Sequence, residues 1–240
     1  MSQAPPFTPA RVQAVHPESS IDRTLVFALA PADRAAFAWR PGQHVLLRLP
    51  DERPPRVRPY SLSGADGPDR PVRITVRDAG GWGRPVYALD VGAAVELGGP
   101  TGAFDLRVPA GHDAVFVAGG SGVAPFRAAI EAWLGSGAEG RVTLLHAVRT
   151  HDHLVFHDEL VAWAARVPAF RYVPALTGDD VAAAWSGVRG RLGRAHLDEV
   201  LADPGRTLVG ACGPADLVED ALAWAEGLGV PAALRRREAW

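Results

Sequence analysis

Cysteine is nearly missing: Cys212 is the single thiol in 240 residues. A disulfide needs two thiols and an iron-sulfur cluster normally about four, so neither can be built within this chain. Lysine is absent, and the 25 basic residues, all arginine, are outnumbered by 27 Asp and Glu for a formal net charge of -2. Without a cationic excess there is no broad surface for neutralising nucleic-acid phosphates or holding an anionic membrane, so neither partner is expected. No apolar run reaches the roughly 18 residues that a membrane span requires. The first nine residues are polar and Pro-rich, without the basic start and apolar stretch of a signal peptide, so a cytoplasmic location is expected. No internal repeat and no low-complexity tract occurs.

About half of the chain (48%) is apolar and 22% is charged, which suits a soluble protein with a substantial core. The length admits one large or two modest domains. Apolar residues in the first half come in short alternating runs broken by Gly, Pro and Asp, at residues 24–29, 44–49, 72–76 and 94–97. That is the pattern of antiparallel strands. From Ala114 onward the pattern changes to apolar strands alternating with amphipathic helices: strands at 115–118, 142–148, 171–173 and 208–211, with helices starting at Ala124, Leu154 and Ala215. Strands alternating with helices predict a parallel sheet covered on both faces. The change falls near Pro109-Ala110-Gly111, which predicts a barrel-like domain over residues 1–109 and a nucleotide-binding domain over 110–240. Residues 177–193, Gly-rich and polar, read as a surface loop.

Two segments carry chemistry. In Val115-Phe116-Val117-Ala118-Gly119-Gly120-Ser121-Gly122-Val123-Ala124-Pro125-Phe126 an apolar strand runs into a glycine cluster, and Pro125 then occupies the first helical turn, where its missing N–H is harmless. Backbone N–H groups there would face an anion, and glycines let a pyrophosphate come close. An ordinary tight strand-to-helix turn has the same signature, and the spacing is not GxGxxG. Arg58-Pro59-Tyr60-Ser61-Leu62-Ser63 offers a cation, an aromatic ring and two hydroxyls. If extended, it points Arg58 and Tyr60 to one side, so that a guanidinium can hold phosphate while the ring covers a flat heterocycle; Ser61 faces the other way. Taken alone, it equally describes a strand end with an exposed Arg and a half-buried Tyr.

The order RPYSLSG, VRITVRDAGGWGRPVYAL, GGPTGAF, VFVAGGSGVAPF, LLHAVRTHDHLVFHDEL, WSGVRGRL, VGACGPADLVEDAL and EAW, spanning nearly the whole chain, resembles the ferredoxin reductase family of flavoproteins. The resemblance implies an N-terminal antiparallel flavin-binding β-barrel and a C-terminal doubly wound parallel sheet that binds NAD(P). It further implies an NAD(P)H-dependent, FAD-containing oxidoreductase that passes electrons to a separate acceptor: ferredoxin, flavodoxin or an oxygenase component. A free-flavin or small-molecule reductase, or a non-catalytic FAD-binding subunit, remain the alternatives. FAD is expected over FMN because the short-helix pyrophosphate segment is present.

Carried over by the resemblance, Arg58 would hold a flavin phosphate, Tyr60 would pack on the isoalloxazine, and Ser61, followed by Leu62 and Ser63, would hydrogen-bond near flavin N5. Residues 72–76, with Ile74, Thr75 and Val76, would offer backbone to the ring's polar edge. Gly80, Gly81, Trp82 and Gly83 would open a short helix against the pyrophosphate, with Arg84 standing where the family usually has Ser or Thr. Gly119, Gly120, Ser121 and Gly122 would meet the dinucleotide pyrophosphate, Arg149 and Thr177 its ribose or nicotinamide side, and Cys212, Gly213 and Pro214 the nicotinamide. Cys212 is expected to shape the pocket without becoming a nucleophile. Glu238 matches the family's terminal acid, and Trp240 the aromatic that shields the second flavin face; a frayed tail is the alternative. The sites expected to act in the reaction are Tyr60, Ser61, Cys212, Glu238 and Trp240.

His146, His151, His153 and His157 lack the convergent spacing of a metal site and read as surface histidines. NADH is expected over NADPH, because Asp179 and Asp180 follow Gly178 where NADPH-using members carry Arg; Arg149 and Arg191 argue for the phosphate.

Overall fold

The computed structural model describes residues 6–67, 70–78, 80–81, 83–137, 139–179 and 181–239. Two six-stranded sheets divide the chain. The first is formed by β1 (Phe7–Pro17), β2 (Asp22–Leu29), β3 (His44–Arg48), β4 (Arg58–Ser61), β5 (Val72–Arg77) and β6 (Ala94–Thr101), in the order β4-β3-β6-β1-β2-β5. All its pairings are antiparallel. The segment leaving β4 closes the sheet into a barrel: Leu62 bridges to Ile74, and the Ser63 N–H donates to the Arg73 carbonyl at 3.0 Å.

The period-two pattern decides which way each side chain points. On β5, Val72, Ile74 and Val76 are buried in the barrel core with Leu25, Leu47 and Leu97. Burial of each such side chain is worth about 1.5–3 kcal/mol. Arg73, Thr75 and Arg77 point out of the barrel, and Thr75 is buried nonetheless, its hydroxyl 2.9 Å from that of Thr24 and 3.2 Å from that of Ser63. Two short helices belong to this half, α1 (Pro31–Ala36) and α2 (Arg84–Tyr87).

The second sheet is parallel throughout, in the order β10-β9-β8-β7-β11-β12. Its strands are β7 (Asp113–Gly119), β8 (Val142–Val148), β9 (Phe170–Leu176), β10 (Val188–Arg189), β11 (Thr207–Gly213) and β12 (Arg235–Ala239). The helices α3 (Val123–Ser136) and α4 (His157–Arg166) cover one face, where Phe116, Phe126, Ile130 and Trp163 pack. On the other face lie α5 (Arg194–Val200) and α6 (Ala215–Gly227), packed through Leu197, Val218 and Ala221. With both faces covered, the strands read as nearly continuous apolar runs. The chain winds outward from β7 through β8 to β10, then returns to place β11 on the other side of β7. Ligands bind outside the carboxyl ends of the strands at such a reversal, and here those ends carry Gly119 and Gly213.

Several boundaries differ from the sequence reading. β1 begins at Phe7, inside the stretch read as a polar terminus, because its pairing with β6 supplies the ladder. The helix expected from Leu154 begins at His157: Phe156 takes a left-handed φ of 61°, costly for a bulky residue, and breaks the run. Burial holds Phe156 there, with the Arg127 guanidinium 5.3 Å from its ring. The loop over 177–193 contains β10, and the tail pairs as β12.

Candidate active site

At the end of β7 the chain turns through Gly119 and Gly120 into one 3-10 turn and then α3. Gly120 has φ +55°, a conformation that side chains rarely adopt, and a Cβ there would lie 2.8 Å from the Arg77 guanidinium. Across the turn, a Cβ on Gly213 (φ +147°) would lie 2.9 Å from the Gly119 nitrogen, and one on Gly119 would lie 2.7 Å from the Pro214 ring. Gly213 is therefore required by the close approach of two backbones, Gly119 by the Pro214 ring, and Gly120 by its positive φ. Beside them is a cavity of about 320 Å³, lined among others by Gly119, Gly120, Arg149, Thr177, Arg191 and Pro214. Its size and mixed lining fit part of a dinucleotide.

Arg77 also lines this cavity, and the sequence reading missed it. It comes from the barrel and is held by the fully buried Asp22 through bonds of 2.9 and 3.1 Å. The clue was the outward phase of residues 73, 75 and 77 on β5. The cavity's own acids are Asp216 and Asp220; Asp216 lies 3.8 Å from Arg191. Asp179 is exposed and not part of this lining, and Asp180 lies outside the described residues.

A second group forms where barrel and parallel sheet meet. The Ser61 hydroxyl donates to the Glu238 carboxylate at 2.9 Å, joining β4 to β12. Cys212 is the register partner of Glu238 on the neighbouring strand and is fully buried. Burial, with the Glu238 charge added, pushes its thiol well above the ordinary range. It stays protonated and is a poor nucleophile. His44, which pairs with Ser61 in register, brings Nδ1 to 4.0 Å from Glu238; the sequence reading did not single it out. Thus Ser61, Cys212 and Glu238 are brought together from three separated segments.

Arg58 is buried on β4, two residues from the partly buried Tyr60. Burial raises the Tyr60 hydroxyl's pKa, against the nearby Arg58 charge. Arg58 is met by Glu52 from the preceding loop at 3.1 and 3.4 Å. Those bonds, with Arg56, hold the Glu52 carboxyl below the usual carboxylate range. A phosphate at Arg58 shares the guanidinium with Glu52 or displaces it. Leu62, Ser63, Ile74, Thr75 and Val76 are buried around the barrel closure, with the Thr75 hydroxyl donating to Ser63 at 3.2 Å. Gly80 and Gly81 have positive φ and open space at their Cβ positions, Gly83 precedes α2, and Arg84 is exposed at its start. This edge brings a cation, a ring and hydroxyls close together along β4 and the segment that follows it. Trp82 and Trp240 lie outside the described residues.

Arg127 on α3, 2% exposed, ties the two halves together. It donates to both Glu159 oxygens at 2.6 Å and to the Ser63 carbonyl of the barrel at 2.7 Å. Of the four histidines His151 is exposed and His153 and His157 are half-buried, but His146 is fully buried, because β8 is covered on both faces, and the sequence reading is corrected there. Among the described residues no set of three or more His, Cys, Asp or Glu could hold a metal ion, and no helix is long and apolar enough to cross a membrane.

The model of the oxidoreductase NAD-binding domain family matches residues 116–222. The chain is 36% identical over 215 residues to ferredoxin-NADP reductase B of Sorangium cellulosum, covering 89% of this chain and 84% of that protein. It is 32% identical to the toluate 1,2-dioxygenase electron transfer component of Pseudomonas putida, over 82% of this chain and 57% of that one. Against other curated relatives, too, the chain spans about half of their length, 45% and 52% in two oxygenase reductase components. Among solved structures, the Amycolatopsis cytochrome P450 reductase GcoB superposes with a TM-score of 0.83 at 26% identity, over 97% of this chain and 69% of that one. A ferredoxin NADP+ reductase from Neisseria gonorrhoeae with bound FAD and NADP superposes at 0.81 with 23% identity, over 97% and 98%.

Proposed function

Since this chain belongs to the ferredoxin-NADP reductase family, we propose that it takes a hydride from a nicotinamide dinucleotide bound at the Gly119–Gly120 turn and passes the electrons to an acceptor on a separate chain. It is an oxidoreductase of the ferredoxin reductase type that uses FAD and NAD(P). The observation that carries the reading is the Ser61–Glu238 bond of 2.9 Å beside Cys212, which unites the barrel with the last parallel strand at the mouth of the sheet reversal. FAD, when bound, supplies the hydride acceptor and the means of releasing electrons one at a time. The protein supplies alignment and exclusion of water.

In this reading Arg58 holds a flavin phosphate, Tyr60 offers its ring to the isoalloxazine, and Gly80, Gly81, Trp82, Gly83 and Arg84 face the pyrophosphate. Ile74, Thr75 and Val76 present backbone to the ring edge with Leu62 and Ser63 behind them. Ser61 presents its hydroxyl to the reacting edge, and Glu238 fixes that hydroxyl's orientation. Gly119, Gly120, Ser121 and Gly122 take the dinucleotide pyrophosphate, Arg149 and Thr177 its ribose side, and Cys212, Gly213 and Pro214 wall the nicotinamide. Trp240, two residues after Glu238, covers the second flavin face. We place the boundary between the flavin-binding and dinucleotide-binding domains at residues 109 and 110. The acceptor is a ferredoxin, flavodoxin or oxygenase component.

NADH is preferred over NADPH in this proposal. Support comes from Asp216 and Asp220 in the cavity, since one of them engages Arg191 and both repel a 2′-phosphate. A larger kcat/KM for NADPH in ferricyanide reduction means that Arg149 and Arg191 prevail. The reading as a whole is tested by flavin loading. The protein purifies yellow with about one flavin per chain, and Arg58→Ala weakens retention by the about 1.5–3 kcal/mol of a charge-assisted hydrogen bond. Colourless protein that takes up no added FAD overturns it.

A further inference from the structure

Beneath the Gly120 turn lies a chain of polar groups that the reaction does not use. His146 on β8, fully buried, places Nε2 at 2.9 Å from the Gly120 carbonyl and Nδ1 at 3.3 Å from the Tyr172 hydroxyl on β9. The same hydroxyl lies 3.4 Å from Nδ1 of His157, in the first turn of α4. His157 is braced by the rings of His151 and Trp185, with centroids at 5.2 and 6.5 Å.

Donor accounting fixes the direction of every bond. A carbonyl only accepts, so Nε2 of His146 carries a proton. Burial keeps this ring neutral, with its pKa pushed down to about 4, so Nδ1 is bare and must accept from Tyr172. The tyrosine has one proton, and burial keeps it on the oxygen. Having spent it on His146, the hydroxyl can only accept from His157, which therefore carries its proton on Nδ1. The opposite order requires a buried imidazolium at His146.

We propose that His157, Tyr172 and His146 form a hydrogen-bonded relay that holds the Gly120 peptide ready for the dinucleotide pyrophosphate, making them positioning residues for nicotinamide-dinucleotide binding. None of the three lines the dinucleotide cavity. The Gly120 carbonyl also accepts from the Val123 N–H, so with His146 both of its lone pairs are engaged and the peptide cannot rotate without losing both bonds. That peptide's plane sets where the following N–H groups point. The inference rests on the reading of the Gly119–Gly120 turn as the pyrophosphate seat.

The test uses flavin-loaded protein, calorimetric titration with NAD+ and NADP+, and steady-state kinetics with the reduced forms. A net hydrogen bond is worth about two- to tenfold in an equilibrium constant. Tyr172→Phe and His157→Ala are each expected to raise Kd and KM by about that factor with kcat within about twofold. His157→Asn, whose side-chain amide nitrogen can stand where Nδ1 stood, is expected to retain wild-type binding. Nitrogen-15 spectra of wild type are expected to show His146 protonated on Nε2 and His157 on Nδ1. The relay is overturned if Tyr172→Phe binds like wild type, if His157→Asn is as impaired as His157→Ala, or if either tautomer is reversed. In wild-type protein the amide resonances of the turn shift on adding NAD+ if the turn is the pyrophosphate seat. Unshifted resonances defeat that reading itself, whereas shifted resonances with an unimpaired Tyr172→Phe defeat the relay alone.

Discussion

Acidification from pH 7 to pH 5 should weaken this fold in part through one fully buried ring. His146 is fully buried, and its pKa is pushed down to about 4 chiefly by desolvation, against an ordinary value of 6.5. At pH 7 the folded chain leaves it neutral and the unfolded chain mostly so. At pH 5 the unfolded chain binds a proton there and the folded chain does not, so stability falls as pH falls. Integrating between pH 7 and pH 5 gives a loss of about 2 kcal/mol from this residue, approaching roughly 3 kcal/mol at pH 4. The perturbation that isolates it is His146→Gln, whose amide can still donate to the Gly120 carbonyl but does not titrate. Urea unfolding followed by far-ultraviolet circular dichroism, at pH 7 and pH 5 for both proteins, cancels the other histidines and carboxylates in the difference. Wild type should lose about 2 kcal/mol more than the Gln protein over that interval. Equal losses, within about 0.5 kcal/mol, mean that His146 does not stay neutral and the reasoning about its burial fails.

Ser61→Ala removes the 2.9 Å bond to Glu238 and leaves Arg58 and its Glu52 partner untouched. Stopped-flow flavin reduction should slow by about tenfold or more with flavin content unchanged, and an unchanged rate removes Ser61 from the reaction. Arg127→Met strands Glu159 and the Ser63 carbonyl. Since Glu159 is 37% exposed, the cost should fall at or below the lower end of the about 3–5 kcal/mol of a broken buried pair; a change under about 1 kcal/mol in urea unfolding shows that the halves are joined by other contacts.

The two halves and their different periods were legible because each element's burial pattern is local. Thr24, His44, Val72 and Val142 begin or sit within strands where alternation or a continuous apolar run placed them. What escaped depends on partners far along the chain. β12 has no apolar pattern, Arg235 to Ala239 being mostly charged, and it is a strand only because β11 offers an edge. Glu238 reaches Ser61 across 177 residues, a contact that no local pattern indicates. His146 was readable in hindsight: a histidine inside Val-Thr-Leu-Leu-His-Ala-Val, in a sheet covered on both faces, must be buried and must therefore find hydrogen-bond partners. Phe156 could not be foreseen, since its left-handed backbone carries no local signal and its buried ring meets Arg127 from a distant helix.

Anaerobic titration of the purified protein with NADH, followed by the flavin absorbance spectrum, tests the central claim most directly. The account predicts that about one equivalent per bound flavin bleaches the spectrum, because each hydride carries the two electrons that one flavin accepts. A flavin that stays oxidised in excess NADH and excess NADPH contradicts it.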